Sequence, residues 1–534
     1  MSDSGTSGSG RGKGPQRGGQ NAAPRGGQNA GSQRNAQGRE RNRGPQRNFT
    51  ENAPSQRTRR ADPARLVAFE VLRAVASEDA YANLVLPARI RHHGLDKRDA
   101  GFATELSYGA LRGQGTYDSI LARCVDRPLE QVDPAILDAL RIGVHQLLAM
   151  RVPAHAALDQ TVGLARAVIG AGPSALINAV LRKVSARTLE EWLELLLSEE
   201  KDDTRIASIR YAHPEWIVRA LRQSLVAHGR PVTEIDELLE ADNAAPVVNL
   251  VALPGLGSLD EALEGGATPG ELVEGSALSS GGDLGRLASV REGSTRVQDV
   301  GSQLVARAMA AVDLGRVGKQ GGSAEPSSGE RSSGEGERWL DLCAGPGGKA
   351  ALLGALARQH GATLLANEPA PHRAKLVRQA LAAVPEDVWS VRTGDGREVG
   401  TEMAESFDRV LVDVPCSGLG ALRRRPESRW RRTPKDLADL GPLQRELLKS
   451  ALAAVKPGGV VAYVTCSPHP AETTAVVSDA LRKRDDLELL DAGAVLDGVS
   501  LGGHLEAGHE LTAQLWPHVH RTDAMFLALI HKKA

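Results

Sequence analysis

Cysteine is scarce in this chain, which has only four cysteines among 534 residues. The four cysteines show neither the spacing of a disulfide framework nor that of a zinc site, and the 14 histidines include no pair at ligand distance from a cysteine. These absences argue against a disulfide-stabilised extracellular scaffold. The sequence therefore predicts a protein of a reducing compartment that carries no metal.

Long apolar runs are also missing. No run approaches the roughly 18 residues that a membrane span requires. The N-terminal segment MSDSGTSGSG lacks the apolar core of a signal peptide. We therefore expect a soluble, cytoplasmic protein without a membrane contact.

Apolar side chains are sparse in residues 1–60, which contain 12 Lys and Arg against 3 Asp and Glu, with Phe49 as the one aromatic residue. Such a segment cannot bury enough apolar area to offset its chain entropy, so we predict a disordered basic tail. The tail would add affinity for phosphate backbones with little base readout. A solubilising tail is the alternative interpretation.

The length of the chain, 534 residues, exceeds what one hydrophobic core usually supports, so two or three domains are expected. Asp62-Pro63 and Asp133-Pro134 each have the form of a helix N-cap followed by a first-turn proline. Apolar residues recur at helical spacing after both. Residues 61–200 therefore predict an all-α bundle without catalytic chemistry of its own.

The region 201–310 is mixed, with linker helices, a predicted strand in PVVNLVAL (246–253) and a helix in VQDVGSQLVARAMA (297–310). We expect a small α+β element there. Residues 311–534 alternate buried strands and helices, which predicts an α/β domain. The Gly/Ser/Glu-rich stretch 315–337 is interpreted as a flexible insertion in that domain.

Two cysteines follow successive predicted strands of the α/β domain. Cys416 lies in DVPCSGLG (413–420), and Cys466 lies in VTCSPHP (464–470). Reacting groups of open α/β sheets lie past the carboxyl ends of the strands, and neighbouring strands are only about 4.8 Å apart. A single cysteine is usually a buried core residue, as we expect of Cys124. The placement of Cys416 and Cys466 instead favours a shared catalytic crevice.

A predicted cofactor loop, DLCAGPGGK (341–349), joins the first strand of this domain to a helix. Glycines let the backbone approach a ligand, and the helix N-terminus offers free amides. The candidate cofactor contacts in this loop are Cys343, Ala344, Gly345, Pro346, Gly347, Gly348 and Lys349, although Cys343 is expected to pack and not to react.

Two acidic residues end the next predicted strands. Glu368 is placed to bind two ribose hydroxyls, and Asp395 is placed to accept from an adenine amino group. The loop reads GPGGK instead of G-x-G-x-x-G, and thiols follow later strands. S-adenosyl-L-methionine therefore fits better than a dinucleotide.

Methyl transfer to C5 of cytosine would explain the thiols. C5 is a poor nucleophile until a thiolate adds at C6, which makes C5 enamine-like. A second group must then act as a base so that the first thiol can leave. Asp413 could hydrogen-bond the N3 and N4 edge of the base and stabilise developing charge.

The paired motifs PCSG (415–418) and TCS (465–467) resemble those of the NOL1/NOP2/Sun family of RNA cytosine-5 methyltransferases. That resemblance implies that Cys466 attacks the base, Cys416 assists product release and Asp413 orients the base, while Asp413 also counts among the cofactor contacts. It covers residues 61–534. One departure from the family is that Glu472 is followed by Thr473, where asparagine is common.

The helical region resembles the NusB-type RNA-binding domain fused to bacterial ribosomal RNA members of this family. The resemblance is carried by LSYGALR (106–112), DPAILDALRIGVHQLL (133–148) and LINAVLRKV (176–184). It implies a multidomain chain with an all-α NusB-like bundle, a small ferredoxin-like or RRM-like element and an α/β Rossmann-like methyltransferase domain.

An arginine-rich segment, ALRRRPESRWRR (421–432), follows Cys416 and has six arginines within residues 423–432. We predict that it contacts RNA phosphates and that Trp430 can stack on a base. A solvated helix face is the alternative.

The sequence thus predicts a monomeric, S-adenosylmethionine-dependent RNA (cytosine-5)-methyltransferase, with 16S ribosomal RNA as the expected substrate. Transfer RNA is an alternative substrate. A non-catalytic RNA-binding assembly factor is the alternative function. A vestigial enzyme should have lost a cysteine or the glycine loop, and this chain has kept both.

Overall fold

The computed structural model describes residues 61–317 and 336–534. The predicted basic tail and most of the predicted insertion at 315–337 lie outside the described residues. Within the described part of the chain, no helix is both long enough and apolar enough to cross a membrane.

The N-terminal region is helical, as predicted. Its helices are α1 Pro63–Ser77, α2 Ala82–His93, α3 Lys97–Arg112, α4 Gln114–Cys124, α5 Pro134–Leu148, α6 Ala154–Val168, α7 Ser174–Val184 and α8 Leu189–Leu197. The Asp62 side chain accepts a hydrogen bond from the backbone N–H of Arg65, and Asp133 caps α5 through the N–H of Ala135. One apolar core, which includes Cys124, unites these helices.

Three further helices connect the bundle to the rest of the chain: α9 Asp203–Arg210, α10 Glu215–Ala227 and α11 Ile235–Asn243. Their apolar side chains share a small core with Leu419, Leu422 and Trp516 of the C-terminal region. The linker helices therefore pack directly against the loop that follows Cys416.

The small α+β element contains a four-stranded sheet in the order β2-β3-β1-β4. Its strands are β1 Asn249–Ala252, β2 Thr268–Pro269, β3 Ser276–Leu278 and β4 Thr295–Val297, with helices α12 Asp260–Glu264 and α13 Ala288–Glu292 between them. Helices α14 Val300–Ala311 and α15 Leu314–Val317 follow. The apolar face of α14 joins the core of the large sheet.

The C-terminal region alternates strands and helices. Its strands are β5 Arg338–Asp341, β6 Thr363–Asn367, β7 Trp389–Arg392, β8 Phe407–Asp413, β9 Val455–Thr465, β10 Leu487–Leu490, β11 Gly508–His509, β12 Thr512–Gln514 and β13 Phe526–Lys532. Its helices are α16 Gly348–Gln359, α17 Pro371–Leu381, α18 Gly396–Glu402, α19 Ser428–Arg431, α20 Pro434–Ala454, α21 Thr474–Leu481, α22 Ala492–Val499 and α23 Pro517–His520.

These strands form one sheet in the order β11-β12-β13-β9-β8-β5-β6-β7, with β10 also paired to β13. Within the run β9-β8-β5-β6-β7, adjacent strands are parallel. The chain order reverses between β5 and β8, and ligands of open α/β sheets bind at such a switch point. The predicted cofactor loop follows β5, and the Cys416 loop follows β8, so both open at this position.

The last strand differs from its prediction in one respect. The sequence TDAMFLALIHK (522–532) predicts an antiparallel strand at the edge of the sheet, and β13 is indeed antiparallel to β9. However, β13 is not an edge strand, because β12 and β10 pair with its other side. Short strands of two to four residues, which sequence periodicity does not reveal, cover that edge.

Candidate active site

Cys416 and Cys466 lie in contact at the carboxyl ends of two neighbouring parallel strands. Strands β8 and β9 are paired with Asp413 opposite Val464, so both chains leave the sheet at the same level. The two Sγ atoms are 3.3 Å apart. The structure therefore brings together the two thiols that the sequence placed on successive strand ends.

A buried carboxylate holds the two cysteine loops together. Glu472 accepts hydrogen bonds from the backbone N–H of Ser417 at 2.7 Å and from the side-chain amide of Gln444 at 3.1 Å. The Ser417 hydroxyl also donates to Glu472. Because Ser417 follows Cys416 and Glu472 belongs to the Cys466 loop, this network fixes one thiol relative to the other.

The two thiols differ in their electrostatic surroundings. A hydrogen bond from the Cys416 thiol lowers the pKa of Cys466, and the Lys349 ammonium lowers it further against the opposing effects of burial and the Asp413 carboxylate. The same hydrogen bond, together with burial and the Glu472 carboxylate, raises the pKa of Cys416 well above its ordinary value. Both directions favour the thiolate at Cys466 and the thiol at Cys416.

Lys349 and Asp413 form an ion pair across the switch point of the sheet. The Lys349 ammonium, on the first turn of α16, donates to Asp413 Oδ2 at the end of β8 over 2.8 Å. Burial lowers the pKa of Lys349, but the Asp413 carboxylate, with smaller contributions from Cys466 and Asp341, makes the net shift upward. Lys349 therefore remains a cation beside the thiols.

Asp341 is a buried acid that the sequence reasoning missed. It ends β5, is 1% exposed, and has a pKa raised to about 7 by burial and by the nearby Asp413 carboxylate. Burial and the carboxylates of Asp341, Asp413 and Glu368 also raise the pKa of Cys343 well above its ordinary value. These effects favour the protonated form of the Cys343 thiol, and its packing role stays a prediction. The signal that the sequence offered for Asp341 was an acidic residue at the end of the predicted strand RWLDL (338–342), just before the glycine loop.

The glycine loop packs closely against the end of the next strand. A Cβ added at Gly345 would lie 2.0 Å from Glu368 Oε2, and one added at Gly347 would lie 2.4 Å from Ala380 Cβ. A Cβ added at Gly348 would meet nothing within 4 Å. The loop therefore leaves open space at the N-terminus of α16.

Glu368 is almost fully buried beside this loop. Its Oε1 accepts from the backbone N–H of Ala370 at 3.0 Å, and its Oε2 is the atom nearest to the Gly345 position. Arg373 donates to the Gly345 carbonyl at 2.7 Å and lies 3.6 Å from Glu368 Oε1. These contacts hold the carboxylate at the rim of the loop, where the sequence placed it.

Asp395 follows β7 and has a local partner that the sequence did not indicate. It caps α18 by accepting from the Arg397 backbone N–H at 2.9 Å, and the Arg397 guanidinium also binds its carboxylate. These hydrogen bonds lower the pKa of Asp395. A ligand amino group at this position would share the carboxylate with Arg397.

The arginine-rich segment after Cys416 corrects a prediction. Arg423 and Arg429 are 6% and 0% exposed, so their guanidinium groups cannot grip RNA phosphates as predicted. Arg424 instead pairs with Asp523, whose carboxylate is close enough to Cys466 to influence its pKa. Trp430 remains 38% exposed and packs over Gly115. A fully solvated face does not describe the segment either, because Arg423 and Arg429 are buried, whereas Arg424 and Arg432 are partly exposed and pair with Asp523 and Asp436.

Two family models match this chain. Residues 332–531 match the model described as 16S rRNA methyltransferase RsmB/F, and residues 62–186 match the NusB family. Ribosomal RNA small subunit methyltransferase B of Pseudomonas putida is 30% identical over 479 residues, which cover 88% of this chain and 98% of that protein. The chain belongs to the RsmB/F family of 16S rRNA methyltransferases.

A second relative and a solved structure also match most of the chain. A Mycobacterium tuberculosis protein named as a methyltransferase is 46% identical over 480 residues, covering 89% of this chain and 98% of that protein. The crystal structure of PH0851 superposes with a TM-score of 0.68 at 21% identity, over 88% of this chain and 99% of that one, which shows a shared fold. The predicted family and the predicted NusB-like region are thus confirmed.

As an RsmB/F member, the chain is an rRNA methyltransferase that uses S-adenosylmethionine. The residues of the site fit this cofactor. The Glu368 carboxylate faces the glycine loop, where only a residue without a Cβ can stand at position 345, and open space adjoins Gly348 at the helix N-terminus. A hydroxylated, partly charged ligand matches carboxylate acceptors and free amides of this kind.

Proposed function

We propose that this enzyme methylates C5 of a cytosine in 16S rRNA through a covalent bond between Cys466 and the base. The observation that carries the proposal is the pair of thiols at 3.3 Å. The Cys466 pKa is lowered and the Cys416 pKa is raised, which suits a nucleophile beside a proton carrier.

Catalysis would begin when the Cys466 thiolate adds to C6 of cytosine. The new S–C6 bond moves an electron pair to C5, and Lys349 beside Asp413 counters the negative charge that develops on the ring. Asp413 would hold the N3 and N4 edge of the base. S-adenosylmethionine, held at the glycine loop and Glu368, would supply an electrophilic methyl carbon to C5. The bond from that carbon to the sulfonium sulfur would break, and its electron pair would stay on the sulfur of the departing S-adenosylhomocysteine.

Cys416 would complete the reaction. Once Cys466 is bonded to carbon it no longer carries negative charge, and the largest cause of the raised Cys416 pKa is removed. Cys416 then ionises more readily and can take the proton from C5. The electron pair of the broken C5–H bond restores the double bond between C5 and C6 and expels the Cys466 thiolate.

The helical bundle would choose the substrate. Its match to the NusB family supports RNA binding by residues 61–200. In this proposal, residues 201–310 form the linker helices and the small α+β element, and residues 311–534 form the methyltransferase domain. We further propose that the enzyme acts as a monomer in the cytoplasm, where ribosomal RNA is accessible. Size-exclusion chromatography with light scattering would test the monomer.

Bisulfite sequencing of total RNA from a deletion strain tests the reaction and the substrate together. We expect one cytosine of 16S rRNA to lose protection and to regain it on complementation with the wild-type gene, but not with Cys466→Ala. Loss of protection in a transfer RNA instead would favour the alternative substrate. Unchanged protection in both RNAs would contradict the proposed cytosine-5 activity.

A further inference from the structure

The arginine-rich segment, residues 423–432, lies between the Cys416 loop and helix α20, and it contacts the ends of several bundle and linker helices. Arg429 is fully buried. Its guanidinium donates to the carbonyl of Arg112 at 3.1 Å, to the carbonyl of Asp242 at 2.9 Å and to Asn243 Oδ1 at 2.7 Å. Arg112 is the last residue of α3, and Asp242 and Asn243 end α11.

Arg431 makes the same kind of contact with the first helix of the bundle. It donates to the carbonyls of Val75 and Ala80, near the end of α1, and its Nε lies 3.1 Å from Asp79 Oδ1. The guanidinium carbon also lies 5.3 Å from the centre of the Tyr81 ring. Arg431 therefore holds the chain that leaves α1 and enters α2.

Glu427 and Arg425 extend these contacts. Glu427 Oε1 accepts from the backbone N–H of Ala82, the first residue of α2, at 3.1 Å. Arg425 lies 4.9 Å from the centre of the Tyr81 ring, on which Arg431 also packs. Carbonyls at helix C-termini carry partial negative charge and amides at N-termini carry partial positive charge. Arg429, Arg431 and Glu427 therefore each meet backbone groups of opposite partial charge at or near a helix end.

The other end of the segment is joined to the Cys466 loop. The backbone N–H of Gly420 donates to the Cys466 carbonyl at 2.9 Å, and the Gly420 carbonyl accepts from Ala524 at 2.8 Å. Arg424 pairs with Asp523 in the same stretch as Ala524. The stretch from Gly420 to Arg431 is therefore hydrogen-bonded to the backbone of Cys466 at one end and to the ends of α1, α2, α3 and α11 at the other.

We propose that Arg429 and Arg431 are positioning residues that determine target selection. Resting on the proposed cytosine-5 function, the inference is that the segment holds the helical bundle at a fixed place relative to Cys466. An RNA that is bound by the bundle then presents one cytosine to the thiol. The arginines act on the substrate through the bundle and do not touch the RNA.

A matched pair of variants tests this inference in the full-length enzyme. Arg431→Ala removes contacts to the bundle, whereas Arg432→Ala removes an equal charge from a residue that pairs with Asp436 at the start of α20. Each variant is assayed with 16S rRNA and with a short single-stranded RNA that contains the target cytosine but is too small to reach the bundle. Bisulfite sequencing then maps the modified positions.

We expect Arg431→Ala to lower kcat/KM on 16S rRNA by about tenfold or more and to spread methylation to other cytosines, because contacts that orient a substrate contribute on this scale. Its rate on the short RNA should equal that of the wild type. Arg432→Ala should match the wild type on both substrates. If Arg431→Ala does not fold, Tyr81→Leu provides a second variant. It alters the bundle side of the same contact, because Arg425 and Arg431 both pack on the Tyr81 ring, and it should give the same loss of selectivity.

Two results would overturn the inference. The first is that Arg431→Ala and Arg432→Ala weaken RNA binding equally and both reduce the dependence of RNA affinity on salt concentration. That result would show that both arginines contact RNA phosphates. The second is an unchanged target pattern in both Arg431→Ala and Tyr81→Leu. A wild-type enzyme that methylates cytosine in neither RNA would overturn the proposed function itself and the inference with it.

Discussion

The Glu472 carboxylate accepts hydrogen bonds from both the backbone N–H and the hydroxyl of Ser417. Glu472 is fully buried, and its own carbonyl accepts from the Tyr463 hydroxyl at 2.7 Å. Tyr463 lies within β9, so the contact between Glu472 and Ser417 ties the Cys416 loop to the strand that carries Cys466. Together with the pairing of β8 and β9, this contact sets the separation of the two thiols.

Replacing Glu472 should therefore separate the thiols without emptying the cofactor site. We expect Glu472→Ala to lower the rate of methyl transfer by about 10²-fold, the effect of a small misplacement of reacting groups. S-adenosylmethionine affinity, measured by isothermal titration calorimetry, should remain at the wild-type value. Ser417→Ala keeps the backbone N–H and should lose less activity. A Glu472→Ala enzyme with full activity would show that other contacts position the thiols.

The sequence could predict that the two thiols lie close together, because the end of a buried strand can be recognised from residues next to it in the chain. Two apolar runs that each end in a cysteine predict neighbouring buried strands, and the sheet order places them side by side. The glycine loop and Glu368 were likewise predictable from the position of each after a strand. Asp395 was placed at the correct strand end, but its pairing with Arg397 was not expected.

The arginine-rich segment could not be interpreted from the sequence, because its partners are distant in the chain. Six arginines in ten residues are typical of an RNA-binding surface, yet Arg429 binds Arg112 and Asp242, more than 180 residues away. Charge patterning identifies the cations and not their acceptors. For the same reason the role of Glu472 and the raised pKa of Asp341 became visible only in the folded chain.

Lys349 should set the pH dependence of methyl transfer. Its ammonium is one of the causes that lower the pKa of Cys466. Activity that requires the thiolate rises as pH passes through that pKa, so removal of the cation should move the rising limb to higher pH. We expect the profile of kcat/KM for Lys349→Met to shift in this direction, because that ratio reports groups of the free enzyme.

Lys349→Arg provides the matched control for this measurement. It retains the positive charge beside Asp413, so its rising limb should stay closer to that of the wild type than the limb of Lys349→Met. An unshifted limb in Lys349→Met would mean that ionisation of Cys466 does not limit the reaction, or that Lys349 does not influence it.

Two glycine substitutions should separate stability from cofactor binding. An added Cβ at Gly345 would collide with the Glu368 carboxylate, whereas one at Gly348 would enter open space. We expect Gly345→Ala to lower both the free energy of unfolding and the cofactor affinity. Gly348→Ala should keep the free energy of unfolding and lower only the affinity, because the cofactor would occupy that space. Unchanged affinity in Gly348→Ala would exclude a close approach of the cofactor to the start of α16.

The covalent mechanism makes a distinct demand on Cys416. If Cys416 removes the C5 proton, Cys416→Ala should still add Cys466 to the base and accept the methyl group but should fail to release the RNA. The variant also lacks the hydrogen bond that lowers the pKa of Cys466. Adduct formation should therefore be faster at mildly alkaline pH than at neutral pH.

The covalent bond between Cys466 and cytosine can be detected by denaturing electrophoresis of the enzyme after incubation with radiolabelled 16S rRNA and S-adenosylmethionine. We expect a stable protein-RNA band for Cys416→Ala, almost none for the wild type, and none for Cys466→Ala or the double variant. A band in Cys466→Ala instead would exchange the two roles. The absence of a band from both single variants, with both inactive through poor cofactor binding, would contradict the covalent mechanism.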